Sequence, residues 1–547
     1  MDKNLNTGSR KHDVVMLPSV STAHLFQQRA GLERLHQFAC QSSKLRANSG
    51  KNINPLFSVC KRFGTRPSEP SVHSLCVIGT RLGHLALLCA LLSAALPGQS
   101  PPPAPPAEPI DFKVYSQPPR LLLTAPRLRL LRRERERQSM RWEQFSALMQ
   151  GHARMREPGF AQSLYGIVAA DAPSCREAAA WALKTADARR PAELWQIALA
   201  ADWCAPQLDA AAEAALNARL AASLAARPRD VIALRGAVFA ALAAADAAPQ
   251  ASSAVLRYTV EDWWRRQTVP RLRSGEDPFS DRAALLALVE IVHVLRENLD
   301  VDLRDEAIDW FKQLPPRLIL AYYPAPWPAP ENDYRIPAYK GSGDPDLDQS
   351  VYSRAAELAL VAADPNAQVS LFLQGWLMQD RFLMRSPLSA PYEFLWANPY
   401  LPGLSYTYMP DLYHGAGRLF TRSSWDEDAT WFGLWDGEAQ LFQDGKRYAV
   451  EVRAGHPPAD LGPVRIFFGG GNVRFQTGWW NKPDEDSKAV EQVAFVLGLE
   501  PSTLYDIEVD GEEMDDARTD RSGILELHFA PGLETGVRLH KAQPTLR

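Results

Sequence analysis

The chain has few of the residues on which metal and thiol chemistry depends. It holds 6 cysteines and 11 histidines in 547 residues, and none of them has the spacing of a zinc site. It also lacks the G-x-S-x-G turn of α/β-hydrolases and the glycine-lysine loop that cradles nucleotide phosphates. These absences exclude the zinc-finger, α/β-hydrolase and P-loop classes, and we expect neither a metal nor a cofactor.

Long apolar runs are equally scarce. The run "LALLCALLSAAL" at 85–96 is too short to cross a bilayer comfortably. Arg81 precedes it and small residues end it, as in a secretory signal, with a buried helix as the alternative. We therefore expect residues 77–96 to be a signal peptide, the protein to be secreted or periplasmic, and no stable membrane insertion after removal of the signal. Residues 1–76 show no sustained period, and we expect them to lie upstream of the true start.

Removal of residues 1–96 leaves an acidic chain. That segment has 12 basic and 4 acidic residues, so the remainder carries a formal charge of −12, against −4 for the whole. Such a charge argues against non-specific nucleic-acid binding. Two cysteines remain, Cys175 and Cys204, in successive predicted helices. In an exported protein they either pair or stay as two buried thiols.

Composition and period divide the rest of the chain into three parts. The proline-rich "GQSPPPAPPAEP" at 98–109 favours extended backbone, and we assign 97–118 to a linker. Residues 119–400 show apolar residues at helical spacing with alanine-rich seams, which predicts stacked helical hairpins in a toroid or a solenoid. Residues 401–541 show a period of two, which predicts an antiparallel β-sandwich.

Three stretches of the β region make sharper predictions. "GRLFTRSSWDEDATWFGLWDGE" at 417–438 reads as two strands joined by an acidic turn. Leu499, Pro501, Thr503 and Tyr505 follow the corner pattern of fibronectin type III-like sandwiches, where the tyrosine has a structural role. "FFGGGNV" at 467–473 lacks the strand-to-helix context of a nucleotide site, so we expect a hairpin turn.

The order of these parts resembles the heparinase II/III-like polysaccharide lyases, a family of alginate lyase and heparinase type. Two stretches carry the likeness: the opening "PPRLLLTAPRLRLLRRERERQSMRWEQF" and the 417–438 stretch. The resemblance implies an α+β multidomain fold, in which a C-terminal antiparallel β-sandwich caps an N-terminal incomplete (α/α) helical toroid. It also implies that a polysaccharide or oligosaccharide lies in the cleft between them and is cleaved by β-elimination at a uronic acid.

Two family motifs are altered. Arg229 and Asp230 stand where the family has an Asn-His pair, and "AQLFQDGKRYAVEV" replaces its H-x-H-x-D run. Two alternatives to a lyase therefore stay open. One is a catalytically inactive, glycan-binding relative. The other is a glycoside hydrolase that uses Asp344, Asp346 or Asp348, the same alternating carboxylates that suggest a calcium site.

In a lyase of this kind we expect Tyr352 and His414 to transfer protons and Arg422 or Arg335 to neutralise the substrate carboxylate. For His414 the alternative is a loop histidine packed on aromatic rings. Tyr352 lies near the end of the long loop 322–354, where a predicted helix begins, and His414 and Arg422 flank the junction with the β region. The expected substrate-binding residues are aromatic or cationic: Tyr334, Arg335, Tyr339, Lys340, Tyr406, Tyr408 and Trp425.

Overall fold

The computed structural model describes most of the chain that follows the proline-rich stretch. The described residues are 110–187, 191–328, 334–380, 384–479, 490–513, 516–532 and 534–542. The predicted signal peptide, the residues before it and the linker up to residue 109 lie outside them. All described residues belong to one compact unit, and none of their helices is long and apolar enough to span a membrane.

Helices occupy the first part of the described chain, as predicted. They are α1 Ala125–Glu136, α2 Met140–Gln150, α3 Pro158–Ala169, α4 Ala172–Asp187, α5 Leu194–Cys204, α6 Ala210–Ser223, α7 Val231–Ala243, α8 Pro249–Arg257, α9 Val269–Arg273, α10 Arg282–Leu299, α11 Ile308–Leu320, α12 Leu347–Ala363, α13 Gln368–Gln379 and α14 Ser389–Trp396. A π-helical segment, Tyr258–Thr268, joins α8 to α9.

Six of these helices form an inner ring. Each of α3, α5, α7, α10, α12 and α14 packs on the next one, and α14 packs back on α3. Their sequences are largely apolar, so α5 is buried from Trp195 to Cys204, α7 from Leu234 to Leu242 and α10 from Ala284 to Leu295. Helices with no polar face are stable only when other helices surround them. The remaining helices, including α4, α6 and α13, pack outside the ring, which confirms the predicted helical toroid.

Short polar residues and one cross-link define the ends of the ring helices. Asp230 and Asp281 cap α7 and α10, since their carboxylates accept hydrogen bonds from backbone N–H groups at 2.8 Å. Such caps satisfy donors that the helix itself leaves unpaired. Cys175 of α4 and Cys204 of α5 form a disulfide, which decides between the two alternatives left open by the sequence.

Strands follow from Leu412 onward. They are β1 Leu412–Gly415, β2 Arg418–Arg422, β3 Trp431–Trp435, β4 Glu438–Gln443, β5 Lys446–Val450, β6 Ala459–Leu461, β7 Val464–Phe468, β8 Asn472–Gln476, β9 Gln492–Leu497, β10 Leu504–Val509, β11 Glu512–Glu513, β12 Ala517–Arg518, β13 Leu525–Phe529 and β14 Gly536–Lys541. All described pairs are antiparallel except β7 with β9, which is parallel.

The strands build three stacked sheets. The first has the order β1-β2-β3-β4-β5, the middle one β13-β9-β7-β6, and the third β11-β10-β14-β8 with β12 beside β10. One apolar core lies between the first and middle sheets and a second between the middle and third sheets. The predicted β-sandwich is therefore confirmed, with a middle sheet that is covered on both faces.

Two local predictions about the β region met different outcomes. The hydroxyl of Tyr505 accepts a hydrogen bond from the N–H of Glu500 at 3.2 Å, which confirms the tyrosine corner. The hairpin predicted at the triglycine 469–471 is wrong, because β7 and β8 belong to different sheets. The glycines carry the chain from one sheet to the next. A Cβ at Gly469 would meet Val473 at 2.2 Å, so only glycine fits that crossing.

The 417–438 stretch joins the helices to the sheets. Its strands pair as predicted, with Leu419 opposite Leu434. Side chains alternate across a strand, so Leu419 and Phe432 face the middle sheet while Phe420 and Trp431 face the helices. The indole N–H of Trp431 donates to the carbonyl of Leu320 at the end of α11, at 2.7 Å.

Candidate functional site

A cleft of about 430 Å³ lies where the first sheet meets the helices. We call it the helix–sheet cleft. Its walls come from the start of α10, the end of α11, the loop 337–346, the first turn of α12, and strands β2 and β3. Three arginines line it: Arg282, Arg317 and Arg418. Its position on several elements at an interface is typical of small-molecule sites.

Two of the three arginines contact one shared carboxylate. Asp277, in the loop before α10, accepts a hydrogen bond from Arg317 at 2.9 Å and lies 3.1 Å from Arg418. Arg418 also donates to Asp436 at 3.1 Å. The side chain of Asp277 is 3% exposed, and the three residues come from a loop, a helix and a strand. This triad therefore ties the helical part to the first sheet.

The third arginine, Arg282, has only neutral partners. It donates to the hydroxyl of Ser353 at 2.7 Å and to the carbonyl of Ala338 at 3.4 Å. In the described part of the chain no carboxylate lies within ion-pair distance of it. Burial lowers the pKa of Arg282, and the charges of Arg418 and Arg317 act in the same direction, whereas Tyr322 and the carboxylate of Glu357 oppose the shift. Its half-buried guanidinium is therefore a cation that an anion entering the cleft would stabilise.

A buried polar network supports Arg282 from behind. Ser353 donates to the carboxylate of Glu357 at 3.3 Å, and the hydroxyl of Tyr322 donates to the same oxygen at 2.7 Å. Burial raises the pKa of Glu357, while the charge of Arg354 opposes that rise. The chain of hydrogen bonds holds the Ser353 hydroxyl, and with it the guanidinium, in a defined orientation.

Two predicted substrate-binding residues, Tyr339 and Lys340, lie in this cleft. The Tyr339 hydroxyl accepts from the indole N–H of Trp327 at 3.2 Å, and the Arg447 guanidinium stacks on its ring at 4.3 Å. The Lys340 ammonium donates to the carbonyl of Asp436 at 3.2 Å. Contacts with Trp327, Asp436 and strand β5 thus hold both side chains against the cleft wall.

Four other predicted residues form a separate aromatic–cation cluster. The guanidinium of Arg422 stacks on Trp425 at 4.6 Å, Trp425 meets Tyr406 at 5.2 Å, and Arg335 stacks on Trp376. Arg422 is only 2% exposed, and burial, aided by the charge of Arg335, lowers its pKa to about 10. This enclosed side chain holds the segment that follows β2, since its Nε donates to the carbonyl of Ser424.

The last two predicted binding residues differ in exposure. Tyr408 is 83% exposed in the 3₁₀ turn Tyr406–Tyr408. Tyr334 is half-buried at the start of the segment that leads to Tyr339. Neither residue lines the helix–sheet cleft.

Tyr352 lies in the second turn of α12, among residues of the toroid. Its hydroxyl donates to the carboxylate of Glu157, at the start of α3, at 3.2 Å, and its ring meets the edge of Tyr392. Burial raises the pKa of Glu157 to about 7, against the opposing charge of Arg235. Burial and the charge of Glu157 raise the pKa of Tyr352. The phenol therefore holds its proton more firmly than a free tyrosine.

His414 lies between two carboxylates of the sandwich. Its Nδ1 is 2.6 Å from Glu526 and its Nε2 is 3.4 Å from Asp520, and its ring meets the edge of Phe495. Burial opposes its charge, but the hydrogen bonds with Asp520 and Glu526 outweigh it and raise the pKa of His414 to about 9. It is protonated at neutral pH, and its hydrogen-bond partners among the described residues differ from those of Tyr352 and Arg422. The three predicted catalytic residues thus lie in three different surroundings.

The alternating aspartates of the long loop also have separate roles. Asp346 caps α12 through the N–H of Asp348, at 2.9 Å, and Asp348 forms an ion pair with Arg156. Asp344 lines the helix–sheet cleft. Among the described residues, no group of three or more histidine, cysteine, aspartate or glutamate side chains is placed to hold a metal ion.

Sequence reasoning missed the cleft arginines. Arg282, Arg317 and Arg418 lie on three distant segments, and Arg282 follows the acidic helix cap Asp281. The only local signal was the apolar residue on either side of Arg317 and after Arg418, which indicates that these cations are themselves enclosed.

Comparison with known proteins adds remote similarities only. No protein-family model and no curated protein matches the chain. Among solved structures, the chain is similar to the heparan sulfate lyase HepC from Pedobacter heparinus, at 11% identity and a TM-score of 0.32, over 70% of this chain and 75% of that one. It is also similar to a protein described as a glycoside hydrolase, at 10% identity and a TM-score of 0.27, over 71% of each chain. Overlaps this remote assign no activity to the chain.

Proposed function

We propose that the protein binds an acidic saccharide of the uronic-acid class in the helix–sheet cleft. Arg282 carries the proposal, because its half-buried guanidinium faces neutral partners only. A guanidinium presents paired N–H donors that match both oxygens of a carboxylate. A uronate in the cleft would supply the anion that this cation lacks.

The rest of the cleft suits a sugar ring. Phe420 and Trp435 supply apolar surface, and Tyr339 lies beside them. Asp346 and Gln349 add oxygen acceptors for hydroxyl groups. The volume of about 430 Å³ is within the usual range for small-ligand sites. A sugar ring has an apolar face and many hydroxyl groups, so a cleft with apolar surface and a few polar groups can bind both.

Elimination by Tyr352, His414 and Arg422 has less support. The three groups would have to surround one sugar, yet their partners are a toroid carboxylate, two sandwich carboxylates and a loop carbonyl. A tyrosine base also needs a lowered pKa, whereas that of Tyr352 is raised. These observations favour the glycan-binding alternative over elimination by this set.

Cleavage of the same saccharide is the second candidate. The carboxyl of Glu157, hydrogen-bonded to Tyr352, has a pKa of about 7. A buried carboxyl that titrates near neutral pH is a common feature of general acid–base sites. With such a pair, either β-elimination or hydrolysis would be open to the protein.

The first test is calorimetric titration with oligouronates and with neutral oligosaccharides of equal length. We expect the protein to prefer the uronates, and Arg282→Ala to weaken binding about 10- to 100-fold, the value of a charged hydrogen bond. Arg282→Lys keeps the charge but not the paired donors, so an intermediate loss is expected. Arg266→Ala is the matched control, since that side chain is 72% exposed on the π-helical segment.

Two outcomes would count against the proposal: equal affinity for neutral chains, or undiminished affinity in Arg282→Ala. The same incubations decide between binding and cleavage. Elimination produces an unsaturated, ultraviolet-absorbing end, hydrolysis produces new reducing ends without that absorbance, and a binding protein produces neither.

A further inference from the structure

A second cavity, of about 790 Å³, lies near the start of α3 and is bounded by α2 and α4. We call it the helical cleft. Resting on the proposed function, we propose that the helical cleft is a second saccharide subsite. An acidic chain would then run from the helix–sheet cleft, across the first turn of α12, into the helical cleft. Three observations carry this inference: an aromatic wall, a basic edge and the short separation of the two clefts.

The aromatic wall is the indole of Trp181 on α4. This side chain is half-exposed and lines the helical cleft. It packs directly against Gly159 of α3, where an added Cβ would meet the ring at 2.2 Å. The glycine lets the indole lie against the helix backbone and so restricts its position. Because a rigid indole costs little conformational entropy on binding, it suits the apolar face of a sugar ring.

The basic edge is formed by three side chains at the mouth of the cleft. His152, Arg154 and Arg156 all line it and are exposed. Acidic side chains, Glu177 and Glu193, lie on other parts of the lining. A uronate carboxylate would therefore be attracted to the Arg154–Arg156 edge, while the acidic part offers acceptors for sugar hydroxyls.

The two clefts are separated by little more than one ion pair. Asp346, which caps α12, lines the helix–sheet cleft. Asp348, two residues further on, pairs with Arg156, which lines the helical cleft. The side chains of Arg156 and Asp348 are 64% and 43% exposed, so the pair lies at the surface. Exposed ion pairs contribute little to stability, and a chain carboxylate can take the place of Asp348.

The proton-transfer pair of the second candidate function lies at this same boundary. Glu157 stands in the chain between Arg156 and Pro158, both of which line the helical cleft. Its hydrogen-bond partner, Tyr352, is one helical turn beyond Asp348. A saccharide that occupies both clefts thus passes close to the Glu157–Tyr352 pair, which joins α3 to α12.

Chain length provides the test. Calorimetric affinities of the full-length protein are compared for an oligouronate of two sugars and one of six. We expect the longer chain to bind more tightly, and Trp181→Ala to weaken the longer chain about tenfold while leaving the shorter one unchanged. Arg156→Gln changes an exposed side chain, so it serves if Trp181→Ala does not fold, and the same selective loss is expected. Tyr448→Ala, on β5, is the matched aromatic control.

The outcomes separate the two proposals. If six sugars bind no more tightly than two, or if both cleft variants keep full affinity for six sugars, the second subsite is refuted while the helix–sheet cleft stands. If the wild-type protein binds neither chain, or binds both independently of Arg282, the proposed function fails and the second subsite fails with it.

Discussion

The ion triad of His414, Asp520 and Glu526 makes the stability of the sandwich depend on pH. His414 lies on β1 in the first sheet, and Glu526 lies on β13 at the edge of the middle sheet. Their contact therefore joins two sheets, with the histidine side chain only 17% exposed. We expect His414→Gln to weaken this join, because glutamine keeps a hydrogen-bonding group but cannot carry the positive charge.

The direction of the pH effect follows from the two states of the histidine. Its pKa is about 9 when folded and 6.5 as the unperturbed value. A raised folded pKa stabilises the fold fully below pH 6.5, and that stabilisation is lost as the pH rises through 9. The difference between these two pKa values corresponds to about 3 kcal/mol of folding stability at most, since one pKa unit corresponds to about 1.36 kcal/mol. The pKa values of Asp520 and Glu526 are lowered, so their contribution is lost instead as the pH falls below their ordinary values of 3.8 and 4.5.

Urea unfolding at pH 6 and at pH 9.5 measures this effect. The free energy of unfolding of the wild type should exceed that of His414→Gln by about 2–3 kcal/mol more at pH 6 than at pH 9.5. His528→Gln is a matched control, because His528 contacts the same carboxylate of Glu526 but is 48% exposed. We expect it to cost less than about 1 kcal/mol at pH 6. If the gap between wild type and His414→Gln is the same at both pH values, His414 is not held as a cation and the reasoning fails.

Two further changes test the contacts that hold the described unit together. Asp277→Asn leaves two buried arginines without their shared carboxylate and should lower the free energy of unfolding by about 3–5 kcal/mol. The control Asp428→Asn changes an exposed side chain and should cost about 0.5 kcal/mol. Equal shifts of the thermal unfolding temperature in both variants would contradict the triad. Replacing Cys175 and Cys204 together by serine should cost about 3–4 kcal/mol, for a cross-link between residues 29 apart, and a loss below about 1 kcal/mol in denaturant titration would contradict a structural role for the disulfide.

The sequence predicted the helices and strands of this fold better than it predicted which strands pair with each other. The change of apolar period from helical spacing to a period of two located the toroid and the sandwich, because each element buries a face with its own repeat. The apolar period does not predict the order of the strands within the sheets. The triglycine 469–471 has the composition of a hairpin turn, yet the parallel partner of β7 is β9, from a later segment. Local composition specifies a turn but not which distant strand completes the sheet.

For the candidate site, the sequence located the junction but missed its central residue. Tyr339 and Lys340 were predicted from the aromatic and cationic loop, and both line the helix–sheet cleft. Arg282 was missed, since its significance depends on what surrounds it in space: Ser353, Ala338 and two other arginines. A half-buried cation whose described hydrogen-bond partners are all neutral is recognised from tertiary contacts, so no spacing along the chain reveals it.

The position of the cleft follows from how the 417–438 stretch buries both of its faces. Phe420, Trp431 and Trp435 belong to the cluster that packs against the end of α11, while the alternate residues fill the core of the sandwich. Trp431 is fully buried at the centre of this contact, but Phe420 and Trp435 line the helix–sheet cleft. The cleft thus opens where the aromatic packing between strand and helix ends. At that edge Arg418 already forms ion pairs with Asp277 and Asp436. The charged groups that join the helices to the first sheet therefore pair with one another, and Arg282 remains available for a ligand.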